Sequence, residues 1–368
     1  MSKKYRVLKC ISLFMLGLVV IIVCFGVWFK SLIPPADVDL ASTTVADLPY
    51  ISANEIPYRG KILAVVTSTA TMGSSGKRTG YELTELSRAY YVFTANGFEV
   101  DIASPEGGKP PVVIDDEDIG AYDYAFLNDT TAQYKTSHTI KMEEVIAADY
   151  DAVFFAGGKG AMYDFPDNKA IQDLVKDVYQ NNKVIGAVCH GPAALVNVRL
   201  DNGNLLLKDK NVSGFTNAEE LFLIKEAKSI FPFLLQDKMV AQGANFKEGP
   251  LYLDQVSQDK NLITGQNPWS TWSMAESMIR QMGYTPKYRA ITDEEHAVRV
   301  LNVYASQGKQ KAKELIEALM LQQNKSVDRL LIAKHSVISA MKGEVRQFFN
   351  LIGLVSFTKR FESKTNEI

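Results

Sequence analysis

Cysteine and histidine are scarce in this 368-residue sequence, and neither falls into a metal-binding pattern. The three cysteines are Cys10, Cys24 and Cys189, and the first two lie in an apolar N-terminal stretch. One cysteine is left for the rest of the chain, which excludes a disulfide framework there and also a CxxC zinc site. The four histidines, His138, His190, His296 and His335, show no HxxH or HExxH spacing. An excess of one charge is also missing. Forty Lys+Arg against 42 Asp+Glu give a net charge of -2, which argues against a dedicated nucleic-acid binder. With 46% apolar and 22% charged residues the composition is globular, neither disordered nor collagen-like.

The charge is unevenly spread. Residues 1–30 carry five basic residues and no acid, residues 31–284 carry 21 basic and 33 acidic, and residues 285–368 carry 14 basic and 9 acidic. From Cys10 to Phe29 no residue is charged. A helix of that length spans about 30 Å, the thickness of a bilayer core. Lys3, Lys4, Arg6 and Lys9 precede it, so the positive-inside rule puts the N-terminus in the cytoplasm. A cleaved signal peptide is the rival, but its apolar core is shorter and Val27-Trp28-Phe29 is a poor cleavage site. The expectation is therefore a single-pass membrane protein, anchored in the lipid bilayer through residues 10–29, with its body outside the cytoplasm. Residues 31–59 read as a linker, 60–284 as the main domain and 285–368 as a helical extension.

The body alternates strands with helices. Lys61–Thr67, Phe98–Ala103, Asp151–Ala156 and Val184–Val188 read as buried strands, and Val212–Phe215 and Leu262–Thr264 as two more. Residues 82–96, 168–180, 217–229 and 270–282 have helical spacing. This alternation predicts an α/β domain, a doubly wound parallel sheet with helices on both faces and reactive groups at the carboxyl ends of the strands. Residues 130–139, with His138, read as an insertion or lid, and His296 and His335 as plain surface residues. Trp269 and Trp272 suit packing at a domain rim or subunit interface.

The sharpest feature is Gly186-Ala187-Val188-Cys189-His190-Gly191-Pro192. A buried strand runs into a cysteine, and Gly-Pro then opens a helix. That is the layout of a nucleophile elbow, and the positive end of a helix favours a thiolate. An inert buried cysteine is the plainer alternative.

The chain resembles the PfpI/DJ-1 superfamily of class I glutamine-amidotransferase-like folds, and within it the glyoxalase III and heat-shock chaperone branch. Six segments in order carry the resemblance: Gly80–Val112, Asp151–Asn168, Lys183–Val198, Val212–Glu220, Pro232–Phe246 and Leu262–Ser270. It implies a flavodoxin-like sheet, Cys189 as nucleophile and His190 as its partner base. It further implies Glu85 as a protonated acid beside the thiol, Glu220 as the acid orienting the histidine with Glu219 as its rival, and the Gly158 N–H as an oxyanion donor. Each has a bland alternative: Glu85 on an exposed helix face, Glu219 and Glu220 at a solvated helix start, and Gly157-Gly158 as a mere turn. Two departures stand out. Lys159 replaces a histidine of the common Gly-Gly-His-Gly, and Arg88-Ala89 replaces His-Pro. Both make the pocket more cationic and remove the branch's metal-ligand histidines, so no metal and no cofactor are expected.

The resemblance implies a lyase of the D-lactate dehydratase type, converting a small 2-oxoaldehyde such as methylglyoxal to a hydroxy acid. A cysteine peptidase or amidase would use the same thiol on peptides. A tethered holdase chaperone and a thiol stress sensor are further readings, and a homodimer is an expected partner. The tail from residue 285 reads as one or two amphipathic helices that cover the body or a second subunit, with Phe348–Phe357 suited to a membrane surface.

Overall fold

The computed structural model describes residues 15, 16, 19, 20, 23, 26–33, 40–115 and 119–365. The chain divides into two compact units, one of residues 38–290 and one of residues 1–37 with 291–368.

In the first unit seven strands form one sheet: β1 Gly60–Val65, β2 Phe98–Ser104, β3 Ile140–Lys141, β4 Ala152–Phe155, β5 Val184–Val188, β6 Val256–Asp259 and β7 Leu262–Gly265. Their order is β6-β7-β5-β4-β1-β2-β3. All neighbours are parallel except β6 and β7. Every residue of β4, β5 and β7 is buried, as expected when helices cover both faces and both sides of the pleat must be apolar. The expected strand at Val212–Phe215 is not in this sheet. Only Asn211–Val212 is extended, paired with Asn245–Phe246 in a separate ladder.

Helix α1 (Leu83–Ala95) is buried on nearly every side and stops at Asn96 and Gly97, whose φ is +85°. Residues 121–137 form two further helices, α2 (Ala121–Asn128) and α3 (Thr130–Ser137), the second taking up most of the stretch 130–139 expected as an insertion or lid. Asp129 separates them, its carboxylate capping the Thr131 and Ala132 N–H groups of α3. Helix α4 (Lys169–Gln180) buries Ile171, Leu174, Val175 and Val178 under an Asn168 cap. The expected helix over 217–229 is broken at Ile224 into α5 (Asn217–Leu223) and a turn at Ala227–Ile230. Helix α6 (Thr271–Gln281) lies so close to β5 that a Cβ on Gly186 would fall 2.2 Å from Met278 Sδ. Trp269 and Trp272 are buried within this unit, not at a rim. Residues 40–53 of the expected linker fold onto the same unit, with Leu48 and Tyr50 buried and the Asn96 amide donating to the Tyr50 hydroxyl at 3.1 Å.

In the second unit, the described residues of the tail form four α-helices, more than the one or two expected there: α7 (Asp293–Gln307), α8 (Lys309–Glu317), α9 (Arg329–Met341) and α10 (Val345–Thr365). Leu351, Ile352, Leu354 and Val355 are buried while Phe349 is exposed, so the segment expected at a membrane surface turns its aliphatic residues inward. His296 and His335 are buried rather than on the surface. The His296 ring bonds the Ser326 carbonyl at 2.9 Å, and burial, helped by the Lys334 charge, pushes His335 down to about 4.

The expected membrane anchor is overturned. Among the described residues no helix is long and apolar enough to cross a membrane. The 21-residue α10 has the length but carries Arg346, Lys359, Arg360, Glu362 and Lys364, and charges of that kind are costly in hydrocarbon. Residues 10–14, 17, 18, 21, 22, 24 and 25 of the expected span lie outside the described residues. The single-pass topology and the extracytoplasmic placement of the body fall with the anchor.

One buried ion pair ties α1 to α2. Arg88 Nη2 lies 3.1 Å from Asp123 Oδ2, with the two side chains 4% and 1% exposed. Asp123 also accepts the Gly120 N–H at 2.9 Å and the Ser87 hydroxyl. Removing one partner of such a pair strands the other charge, at a cost of about 3–5 kcal/mol. Arg88→Ala is therefore expected to lower the thermal midpoint of the full chain sharply, and Arg88→Met combined with Asp123→Leu to recover most of the loss. Equal midpoints for wild type and Arg88→Ala would contradict this account.

Candidate active site

Strand β5 delivers Cys189 to the carboxyl edge of the sheet, between β4 and β7. The backbone there is left-handed, with φ at +58° for Cys189, a conformation that costs a non-glycine residue about 1–2 kcal/mol. Two bonds hold it: the Cys189 N–H donates to the Gly265 carbonyl at 3.0 Å, and the Phe215 N–H donates to the Cys189 carbonyl at 2.8 Å. Two residues on, a Cβ at Gly191 would lie 2.2 Å from the Phe155 carbonyl oxygen. The elbow therefore needs glycine at that point. The chain leaves the elbow through one 3-10 turn, Gly191–Leu195, rather than a full helix.

Glu85 reaches the thiol from α1. It is fully buried, accepts the Gly157 N–H at 2.6 Å and lies beside the Cys189 thiol. Burial raises its carboxyl to about 8, against the opposing pull of the bonds from Cys189 and Gly157 and of the Lys159 and Arg88 charges. A glutamic acid that keeps its proton at neutral pH can donate a hydrogen bond. Burial, and next the Glu85 carboxyl, push the Cys189 thiol well above its ordinary value. The thiolate expected at rest is thus not favoured. The short 3-10 turn supplies too small a dipole to outweigh desolvation. Gly157 leaves no room beside these groups: a Cβ there would come within 2.7 Å of Glu85 Oε2, the His190 nitrogen and the Val188 carbonyl oxygen.

His190 joins the other side of the thiol. Its Nδ1 lies 3.3 Å from Cys189 Sγ and its Nε2 lies 2.6 Å from Glu220 Oε2. The imidazole is packed against Phe215, with ring centroids 4.5 Å apart, and against Phe231 at 6.3 Å. Burial acts to raise the Glu220 carboxyl, but the charge of His190 and its hydrogen bond win, and the carboxyl sits below its ordinary value.

Glu219, the rival, points elsewhere. Its Oε2 accepts the Thr216 N–H and hydroxyl at 3.0 and 2.9 Å. Its Oε1 accepts the Tyr252 N–H at 2.7 Å and the Gln266 and Asn267 amides at 2.9 and 3.0 Å. It is a structural brace for α5. Gly158, at φ +96°, turns the chain beside Tyr81 and Glu82. Lys159 comes next, half-buried, its charge acting on Glu85, Cys189 and Glu220. Arg88 is committed to Asp123 and lies over Trp269, so it does not line the pocket as expected. His138 is stacked on Tyr134 at an exposed turn.

Sequence reasoning missed Phe215 and Phe231 against the imidazole, and Gln266 and Asn267 as holders of Glu219. The Gly-Gln-Asn-Pro turn was the available signal for the last two, since buried amides need partners. Among the described residues no group of three or more His, Cys, Asp or Glu side chains could hold a metal ion.

The raised Glu85 value has a measurable sign. A glutamate ordinarily titrates near 4.5, and Glu85 in the fold at about 8. Between those values the folded chain keeps a proton that the unfolded chain releases, so this group makes stability fall as pH rises through that window. Glu85→Gln cannot titrate. Its melting temperature relative to wild type is expected to rise steadily from pH 5 to about 8. A difference that stays constant with pH would refute the assignment.

Residues 77–281 match the DJ-1/PfpI family. The glutathione-independent glyoxalase HSP31 of Saccharomyces cerevisiae is 32% identical over 229 residues, which cover 59% of this chain and 95% of that protein. The glutathione-independent glyoxalase hsp3102 of Schizosaccharomyces pombe is 31% identical over 55% of this chain and 89% of that protein. Among solved structures, the Rapid Encystment Protein 24 KDa of Francisella tularensis is 37% identical with a TM-score of 0.58, over 61% of this chain and all of that one (100%). Glyoxalase III of Candida albicans is 26% identical with a TM-score of 0.55, over 60% of this chain and 97% of that one. The family match spans more than half of the chain, and the chain belongs to the DJ-1/PfpI family.

Proposed function

We propose that this protein is a glyoxalase that needs no glutathione, converting small 2-oxoaldehydes such as methylglyoxal to 2-hydroxy acids with Cys189 as nucleophile. The observation that carries the reading is a single thiol flanked by a histidine at 3.3 Å and a proton-bearing glutamic acid. The glyoxalase names of the relatives support it.

The contacts set the chemistry. Cys189 Sγ attacks the aldehyde carbon while His190 Nδ1 takes the thiol proton, so the sulfur need not be a thiolate at rest. Glu220 holds the imidazole by Nε2 and stabilises its charged form, as the acid of a catalytic triad does. The new oxyanion faces the Gly158 N–H and is protonated to a hemithioacetal. The proton on the sulfur-bearing carbon then leaves and the neighbouring carbon gains one, through His190 and the Glu85 carboxyl. The first carbon is oxidised by two electrons and its neighbour reduced by two, so no outside oxidant or reductant enters. The product is a 2-hydroxy thioester. Water cleaves it, releasing the hydroxy acid and restoring the thiol.

Methylglyoxal is expected to give lactate without glutathione. Cys189→Ala abolishes turnover, and His190→Ala lowers kcat by roughly 10²–10⁴. Glu220→Gln lowers kcat more than it raises KM, because it acts on the imidazole and not on bound substrate. Lactate measured enzymatically over time decides this. Turnover that survives in Cys189→Ala would overturn the mechanism, and absence of turnover in the folded wild type would turn attention to peptide and amide substrates.

A further inference from the structure

Neither ring nitrogen of His190 is left for water. The residue is 1% exposed. Its Nε2 is taken by Glu220 Oε2 at 2.6 Å, and its Nδ1 faces Cys189 Sγ at 3.3 Å. With a carboxylate on Nε2, that nitrogen carries the ring hydrogen and Nδ1 is the one that accepts.

Two phenyl rings are packed on the imidazole. Phe215 lies 4.5 Å from it between centroids and Phe231 6.3 Å, inclined to its plane by 33° and 28°. Both are buried, and both are pinned from behind. The Phe215 N–H donates to the Cys189 carbonyl at 2.8 Å. The Tyr252 ring backs Phe215 at 6.3 Å, and its hydroxyl donates to the Glu219 carbonyl at 2.9 Å. The Tyr163 ring backs Phe231 at 5.9 Å, and its hydroxyl donates to the carbonyl of Ile230, the residue before, at 2.9 Å. This wall stands before any substrate arrives. Orienting the imidazole needs only Glu220; keeping it dry needs the wall, and a dry base does not leak its proton to solvent.

Resting on the glyoxalase reading, we infer that Phe215 and Phe231 are positioning residues that seal His190, so that the hydrogen taken from the aldehyde carbon is returned to the neighbouring carbon and not to water. Once the hemithioacetal stands, His190 has passed the thiol proton to the oxyanion and Nδ1 is free. Nδ1 takes the hydrogen of the sulfur-bearing carbon while the Glu85 carboxyl protonates the neighbouring carbonyl oxygen, giving an enediol. Nδ1 then delivers the same hydrogen to the neighbouring carbon, and Glu85 takes a proton back from the first hydroxyl, leaving the 2-hydroxy thioester. Between the two transfers the substrate fills the one open side of the imidazole.

The test uses methylglyoxal with deuterium on the aldehyde carbon, turned over by the full chain in ordinary water. Mass spectrometry measures the deuterium found on the carbinol carbon of the lactate. Wild type is expected to retain most of the label there. Phe231→Ala lowers the retained share severalfold, and Phe231→Leu, which keeps an apolar cover, retains most of it. A purely structural role would slow turnover and leave the share unmoved. An unchanged share in Phe231→Ala, or label washed out of the wild-type product, would overturn the inference.

A second measurement needs no turnover. The ring N–H of His190 in the bond to Glu220 is followed by proton NMR, and its exchange with water by saturation transfer. Phe231→Ala is expected to speed that exchange severalfold over wild type, because shelter from solvent sets the rate. Absence of turnover would count against the glyoxalase reading. The exchange rate would then decide the seal by itself, and equal rates in wild type and Phe231→Ala would overturn it.

Discussion

Cys189 is held with its backbone in the left-handed region, at φ +58°, and the rest of the candidate site depends on that one constraint. The strain is small beside what fixes it: a fully buried strand behind, a glycine that admits the Phe155 carbonyl ahead, and backbone bonds to Gly265 and Phe215. The turn brings consecutive residues to bear on one point. Cys189 faces Glu85 from α1, while His190 folds back against the thiol and reaches Glu220 on α5. Relaxing the elbow would separate sulfur from imidazole even if every side chain stayed in place.

Electrostatics in the site are governed by exclusion of water. Burial raises both the Glu85 carboxyl and the Cys189 thiol, so two neighbouring acids rest in their neutral forms. The His190–Glu220 contact is the opposite case, a pair in which mutual attraction outweighs burial for the carboxylate. The thiol thus lies between a proton donor and a proton acceptor, which is the arrangement proton transfer between adjacent carbons requires.

Much of this was legible in the sequence, and the rest was hidden for physical reasons. The strands behind the elbow announce themselves as short apolar runs, and α4 shows its buried face by period alone. The choice between Glu219 and Glu220 could not be read from spacing. Adjacent helix positions differ by about 100° in direction, and only the fold shows that one meets the imidazole while the other braces Tyr252, Gln266 and Asn267. Arg88 looked like a pocket cation because its partner Asp123 lies 35 residues away in the sequence. His296 and His335 looked like surface residues because polar neighbours in sequence conceal burial between helices. The apolar stretch near the N-terminus suggested a membrane span, and length and hydropathy alone gave no view of the chain around it.

Glu85 and the Gly157 N–H that it bonds are 72 residues apart, and the cysteine comes later still on a central strand of the sheet. The site is therefore a late product of folding. Long-range pairings of β1, β4, β5 and β7 must close before the thiol loses its water. Until then Cys189 titrates as an ordinary cysteine and is open to oxidants and alkylating agents in proportion to its thiolate fraction. Once the sheet closes, the same burial that raises its pKa shelters it. The Cys189 thiol is chemically most vulnerable while the chain is being made, and its sheltering marks the moment at which the sheet is complete.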